Sequence, residues 1–465
     1  MEKFSFSKRP IKRSPVKTEL RCINTALPVP ESLPMLEDLY RHESGSMHGQ
    51  MPIIWHKAKD FQVYDYWGNK WIDFTSGIFV ANVGHSNDRI KSALQDVLDQ
   101  ELYHSYSYVT EIRVQYLSKL VHYTPPELGK AYLVSTGTEA TEMIIKLMRL
   151  QAQKMKKRRP GIMSFLGSYH GRTQGAAMIG GLPQSQNWIG YEDPNIWQVP
   201  FPYASSFSGA ETGEDRFFEH IESLIKAGID PASDIAGFLF EPFIGWAAAF
   251  IPGDYVEAAA QYARDNQIIL AFDEVQGGFG RTGQLFTYQH YGVKPDLVAC
   301  GKGISSSLPL GAVIGRSDLM DLPEKGSMSS THSANPFACA AGLANLQEIE
   351  SKNLVFESAR KGNILALRLE KIKQRFPNNI SAINGKGLLA AVIFQDPNMG
   401  NPDPLTASRI CERCMHEGVL FVHTGRESIK MGPPLTISDT ALSEGLDVFE
   451  AVVGDIMMEN GVIEK

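Results

Sequence analysis

A chain of 465 residues is more than one hydrophobic core holds, so at least two domains are expected. Hydrophobic residues at 43% and charged residues at 21% are ordinary soluble proportions, and a formal net charge of −7 argues against a nucleic-acid or membrane partner. No apolar run approaches a membrane span. Five scattered cysteines, an odd number, read as free thiols in a reducing compartment, which favours the cytoplasm.

Residues 1–30 carry Lys3, Lys8, Arg9, Lys12, Arg13, Lys17 and Arg21 against Glu2 and Glu19, with Pro10 and Pro15 breaking any long helix. The reading is a disordered basic arm, with an organellar transit peptide as the alternative. Residues 31–75 are assigned to a small domain; within them 61–74 alternate apolar and polar residues around Gly68-Asn69, a hairpin signal. Helical spacing follows over 89–101 and 111–122. From about 130 to 320, short apolar runs at 131–134, 161–165, 235–240, 268–272, 297–299 and 312–314 alternate with helical stretches. That alternation predicts an α/β domain, 76–345, with a mostly parallel sheet sandwiched by helices. Helix dominates 337–376, and 346–465 read as the rest of a small α+β domain, built from both chain ends. Cys411 and Cys414 with His416 invite a metal reading, but no second ligand pair stands at metal-site spacing, so no metal is expected.

Chemistry gathers at the predicted strand ends. Asp273 stands where the run 268–272 stops, and Lys302 follows the run 297–299. In open parallel sheets ligands bind at the carboxyl ends of strands. An Asp and a Lys delivered there suit pyridoxal phosphate, with the Lys forming the Schiff base and the Asp pairing with the pyridinium nitrogen. Ser135-Thr136-Gly137-Thr138-Glu139 opens a helix after a strand, a phosphate site by its exposed N–H groups or else a plain N-cap on Thr138 or Ser135. Tyr169, just past 161–165, reads either as an aromatic that stacks on a planar ring or as a buried tyrosine near a turn, and Glu241 ends the run 235–240. Gly278-Phe279-Gly280-Arg281-Thr282-Gly283 matches Gly-x-Gly-x-x-Gly, yet no helix opens on it and no acidic residue stands at the usual distance, so a dinucleotide site is not expected.

With these residues in view, the chain resembles the class III aminotransferases, the fold type I pyridoxal-phosphate family, from about Trp55 to Val452. The segments Asp273-Glu274-Val275-Gln276, Gly280-Arg281-Thr282-Gly283, Pro295-Asp296 and the Lys302 turn stand in family order. The resemblance implies a large domain with a seven-stranded, mostly parallel sheet. It makes Lys302 the internal-aldimine lysine and proton shuttle, and Asp273 the partner of the ring nitrogen. Gln276 would approach the ring hydroxyl, Val275 and Tyr169 would cover the two ring faces, and Gly137 and Thr138 would hold the phosphate. Thr331 matches a threonine that reaches the phosphate of a neighbouring subunit, implying a homodimer with shared active sites, or a tetramer of such dimers. The implied activity is ping-pong transfer of an amino group from an amine or amino acid to a keto acid or aldehyde.

Two positions depart from the pattern. Relatives carry a glutamate soon after Glu-Pro and an arginine shortly before Pro-Pro-Leu, together a switch for a substrate carboxylate; here Trp246 and Lys430 stand there. Lysine lacks the bidentate fork of arginine. The resemblance therefore does not carry glutamate and 2-oxoglutarate over to this chain. Trp246 and Phe79 are expected to shape a more apolar or bulkier pocket, with Lys430 or Arg426 as carboxylate contact. Decarboxylation, racemisation or epimerisation, and elimination are the alternatives on the same cofactor. A binding protein without chemistry and a nicotinamide dehydrogenase are the alternatives outside it.

Overall fold

The computed structural model describes residues 4–459, so Glu2 and Lys3 of the basic arm lie outside the described residues. The chain divides into two compact units, residues 88–355 and a second made of 1–87 with 356–465. Both chain ends thus build one unit, with boundaries about ten residues beyond those expected at 75/76 and 345/346.

The unit 88–355 is a seven-stranded sheet with helices. Its strands are β1 (Lys130–Val134), β2 (Gly161–Phe165), β3 (Ile196–Val199), β4 (Ile235–Phe240), β5 (Ile269–Asp273), β6 (Leu297–Cys300) and β7 (Gly311–Gly315), in the order β1-β7-β6-β5-β4-β2-β3. Neighbours from β6 through β3 pair parallel, while β7 runs antiparallel to both β6 and β1. Strands β2 and β4 to β7 are buried along their whole length, as sheets covered on both faces require. Helix α1 (Gly137–Lys154) lays Ile144, Leu147 and Met148 against Leu239, Ala271 and Leu297, a core in which each such side chain contributes about 1.5–3 kcal/mol. Strand β3 was not among the expected strands. It is an edge strand, half-buried, with Gln198 in it, so it lacks the apolar run that marks its neighbours.

The other unit contains a four-stranded antiparallel sheet over Ile380–Lys386, Leu389–Phe394, Ser428–Met431 and Val422–His423. A second sheet holds the expected hairpin, with Gln62–Tyr64 antiparallel to Lys70–Asp73 and Gly68 at φ 83 in the turn. The helix at 337–376 is two helices, Pro336–Ser351 and Leu354–Arg375, broken where Asn353 takes φ 50.

The described part of the N-terminal arm corrects the expectation of disorder. Val16–Lys17 pairs with Cys22–Ile23, Leu27 is 1% exposed, and Phe6 packs its ring on His423. The arm finds acidic partners remote in sequence: Arg21 Nε donates to Glu444 at 2.7 Å, and the backbone N–H of Ser7 donates to Glu412 at 2.8 Å. A helix, Leu33–His42, also stands in a stretch for which no element was expected; its apolar residues are exposed or half-buried, so no burial signal marks it.

Candidate active site

Parallel strands deliver their last residues to one edge of the sheet, and five of them converge on a cavity of about 320 Å³. From the end of β1 come Thr136, Gly137 and Thr138; beyond β2 lie Tyr169 and His170. Glu241 follows β4; Asp273, Val275 and Gln276 follow β5, and Lys302 follows β6. The sequence placed an N-cap on Ser135 or Thr138. The cap is Thr136, whose Oγ1 accepts from Glu139 N while the Glu139 carboxylate accepts from Ser135 N and Thr136 N. Three Ser/Thr residues within four positions left that choice to backbone geometry. Gly137 and Thr138 then fill the first two helical positions, whose N–H groups have no partner within the helix and suit an anion.

The carboxylate of Asp273 is held on both oxygens. Oδ1 accepts from Val275 N at 3.0 Å, and Oδ2 lies 2.8 Å from His170 Nδ1. His170 is 3% exposed, and its Nε2 has no hydrogen-bond partner among the described residues. Burial works to lower the His170 pKa, but the hydrogen bond and charge of Asp273, with the charge of Glu241, carry it above its ordinary value. Glu241 Oε2 accepts from Tyr169 N at 3.0 Å, which ties the strand end of β4 to the ring at the cavity mouth. Burial pulls the Lys302 ammonium below its ordinary pKa, against the opposing charges of Asp273 and Glu241. Lys302 also takes φ 44, a left-handed conformation that costs a non-glycine residue about 1–2 kcal/mol.

Two glycines set how closely the walls approach. A Cβ on Gly137 would lie 2.7 Å from Val275 Cγ1, and one on Gly171 would lie 2.1 Å from Thr138 Oγ1. The helix end therefore lies flush on Val275, leaving a narrow slot rather than a filled core. An anion-binding helix end, an amine, a buried carboxylate, an aliphatic wall and an aromatic at the mouth together suit a flat, phosphorylated pyridine aldehyde.

Beside Asp273, Glu274 turns inward and accepts from Thr287 N at 2.9 Å and Tyr288 N at 2.7 Å. Burial raises its carboxyl to about 7, outweighing those two hydrogen bonds, and the Asp273 charge adds to the rise. A carboxyl raised on folding holds its proton better in the native state, so stability is full below the unfolded value of 4.5 and falls as pH climbs through about 7. In urea unfolding from pH 4.5 to 7.5, the stability of wild type relative to Glu274→Gln should fall by about 3 kcal/mol, the other titrating groups, such as His220 and His416, being common to both proteins. Equal pH slopes in the two proteins would remove this assignment.

Residues 44–453 match the family described as aminotransferase class-III. The chain belongs to the class-III aminotransferases. An alanine/serine racemase of Pyrococcus horikoshii is 31% identical over 87% of this chain and 85% of its own length. A 4-aminobutyrate aminotransferase of Mycobacterium leprae is 30% identical over 94% of this chain and 98% of its own. Among solved structures, an (S)-enantioselective omega-transaminase from Thermomicrobium roseum superposes with a TM-score of 0.81 at 26% identity, over 91% of this chain and 95% of that one.

In this class-III aminotransferase, not every expected site residue lines the cavity. Thr331 lies outside it, exposed in the turn before the helix Pro336–Ser351. Trp246 lies half-buried between the short strands Phe243–Ile244 and Ala249–Phe250 and is not among the lining residues. In the other unit, Lys430 is buried with its Nζ 4.3 Å from the centroid of the Phe79 ring, a cation–π contact. Phe79 ends a run of left-handed residues, Ser76, Gly77, Ile78 and Phe79, braced where Ser76 Oγ donates to Gly432 O at 2.6 Å. Sequence reasoning missed His170. A histidine following Tyr169 past a strand end was the available signal, but its partner Asp273 is 103 residues away.

Proposed function

We propose that this protein is a pyridoxal-phosphate-dependent aminotransferase that takes an amino group from an amine or amino acid and passes it to a keto acid or aldehyde. The observation that supports this best is the convergence of Lys302, Asp273 and the capped end of α1 on one cavity. Bound there, pyridoxal phosphate would supply an electron sink for charge left at the amine-bearing carbon of the donor.

The chain's own residues account for the rest. Gly137 and Thr138 would hold the phosphate by helix-end N–H groups and the Thr138 hydroxyl, which already lies 2.8 Å from Thr173 Oγ1. Val275 and Tyr169 would cover the ring faces, and Gln276 would meet the ring hydroxyl. Asp273, oriented by Val275 N and His170, presents a fixed negative charge to the ring nitrogen. Lys302, with its pKa lowered, serves as nucleophile and then as the base that takes and returns the proton at the amine-bearing carbon. The substrate roles of Trp246 and Lys430 rest on their departure from the family pattern, which together with Phe79 points to an apolar or bulky donor. Lys430→Ala with unchanged donor affinity would take the carboxylate role from that residue.

A second copy of the chain completes the proposal. Between Leu98 and Val114 the surface shows Tyr103 at 55%, Tyr108 at 78% and Val109 at 82% exposed, a cluster that a partner would cover. This stretch is tied to the loop of Thr331 through Asn335 Nδ2, which donates to Tyr103 O at 3.1 Å, and Tyr106 Oη, which donates to Ser329 Oγ at 3.2 Å. Covering the patch would carry Thr331 toward the partner's phosphate. A monomeric mass by light scattering would sink the shared site. All five cysteines are free, which supports the cytoplasm as the working compartment.

Racemisation is the second reading, favoured by the racemase relative at 31% identity. Mixing the holoenzyme with a panel of single donors, without acceptor, separates the two. Transamination leaves keto acid in an amount equal to enzyme, with the absorbance of the aminated cofactor. Racemisation inverts the amino acid over many turnovers with no keto product, and that result would overturn the proposal.

A further inference from the structure

The helix Pro336–Ser351 is alanine-rich and buried, and a polar side chain in its middle is costly to place without partners. Asn345 stands there, wholly buried. Its Nδ2 donates to Gly303 O at 2.9 Å and to Ile304 O at 3.1 Å, and its Oδ1 accepts from Ser306 Oγ at 2.7 Å. Two carbonyls on one side and a hydroxyl on the other admit a single orientation of the amide. All three partners belong to the turn that Lys302 opens. That turn is strained at both ends, with Lys302 at φ 44 and Ser306 at φ 56. Gly303 and Ile304 are themselves buried, so without Asn345 these two accepted hydrogen bonds would vanish from a site with no exposure to water.

We propose that Asn345 is the positioning residue of the reaction: its carboxamide clamps the strained turn and so sets where Lys302 Nζ enters the cavity. A left-handed lysine persists when its surroundings over-determine it, and the clamp is what does so here. Helix Pro336–Ser351 thereby becomes part of the catalytic apparatus although Asn345 touches neither cofactor nor substrate. The inference rests on the reading of Lys302 as the residue that links the cofactor.

The test compares the holoenzyme with Asn345→Leu, which keeps the branched shape and removes all three bonds, Ser306→Ala, which removes one, and Leu346→Ala, a buried change on the same helix. Three readouts are taken: the thermal midpoint, kcat and KM for a working donor, and the pH titration of the lysine-linked cofactor absorbance. Asn345→Leu should lower kcat on the order of 10²-fold with KM nearly unchanged, the cost of a nucleophile displaced by about an ångström. It should also move the absorbance midpoint by about half a pH unit or more, because strain at Lys302 is altered. Ser306→Ala should move both in the same direction by less, and it decides the matter if Asn345→Leu does not fold. Leu346→Ala should lower the thermal midpoint while leaving the titration in place. Asn345 and Ser306 variants that lose only thermal stability, like Leu346→Ala, would overturn the positioning role. A wild type that forms no lysine-linked absorbance with pyridoxal phosphate would instead overturn the reading of Lys302.

Discussion

Lys302→Ala is expected to lower turnover on the order of 10⁴-fold, the upper range for a general acid–base group that also acts as nucleophile. The cavity offers no substitute. Arg172 is engaged as a donor, its Nε giving to Tyr169 Oη at 3.1 Å, and His170 is buried with its Nδ1 on Asp273. Tyr169 is 41% exposed at the mouth, and Glu241 is occupied by the Tyr169 N–H. The loss should come without collapse, since alanine at φ 44 is no more strained than lysine and the removed ammonium was costly to bury. Steady-state rates, the thermal midpoint and borohydride trapping of pyridoxal phosphate, followed by peptide mass, check it together. Wild type should trap the cofactor on the peptide containing Lys302 and the variant on none. Retention of more than about a hundredth of wild-type turnover would take the base role from Lys302, since general base groups contribute on the order of 10²–10⁴-fold.

What the sequence disclosed was set by how local the signal is. Apolar runs that end in a residue too costly to bury idly marked Asp273 and Lys302, because a parallel strand writes both its length and its carboxyl end into the chain. The departures at Trp246 and Lys430 were equally visible, being single letters in a known pattern. Features made by two distant segments were not. The basic arm read as disorder because its counterparts, Glu412 and Glu444, stand some four hundred residues later. Strand β3 stands at the edge of its sheet, paired with β2, and needs no continuous apolar run. Asn345 looked like one more residue of a helix until the fold set it against Gly303 and Ile304, some forty residues upstream. Polarity in the middle of an alanine-rich helix was the trace it left.

Asp273→Asn is the substitution with the next largest expected effect, a fall in kcat on the order of 10³-fold, as for loss of one preorganised charge partner in a buried site. The amide keeps an oxygen for Val275 N but turns an N–H₂ toward His170 Nδ1, which can then only accept, so the ion pair becomes a neutral hydrogen bond and the imidazole must carry its proton on Nε2. The loss of charge then propagates in a direction that can be checked. Asp273 holds the Lys302 pKa up against burial, so removing its charge lets burial carry Lys302 further down. The same removal takes away what keeps His170 above its ordinary value, so His170 should become neutral at working pH. Asp273→Glu retains the charge and should keep Lys302 near its wild-type behaviour while losing rate through misplacement. The pH dependence of cofactor linkage by the cofactor-free protein reads the lysine directly: its midpoint should move to lower pH in Asp273→Asn and stay in Asp273→Glu. A midpoint that does not move in Asp273→Asn would mean that Asp273 and Lys302 are electrostatically independent, and the shared site built on them would fail with it.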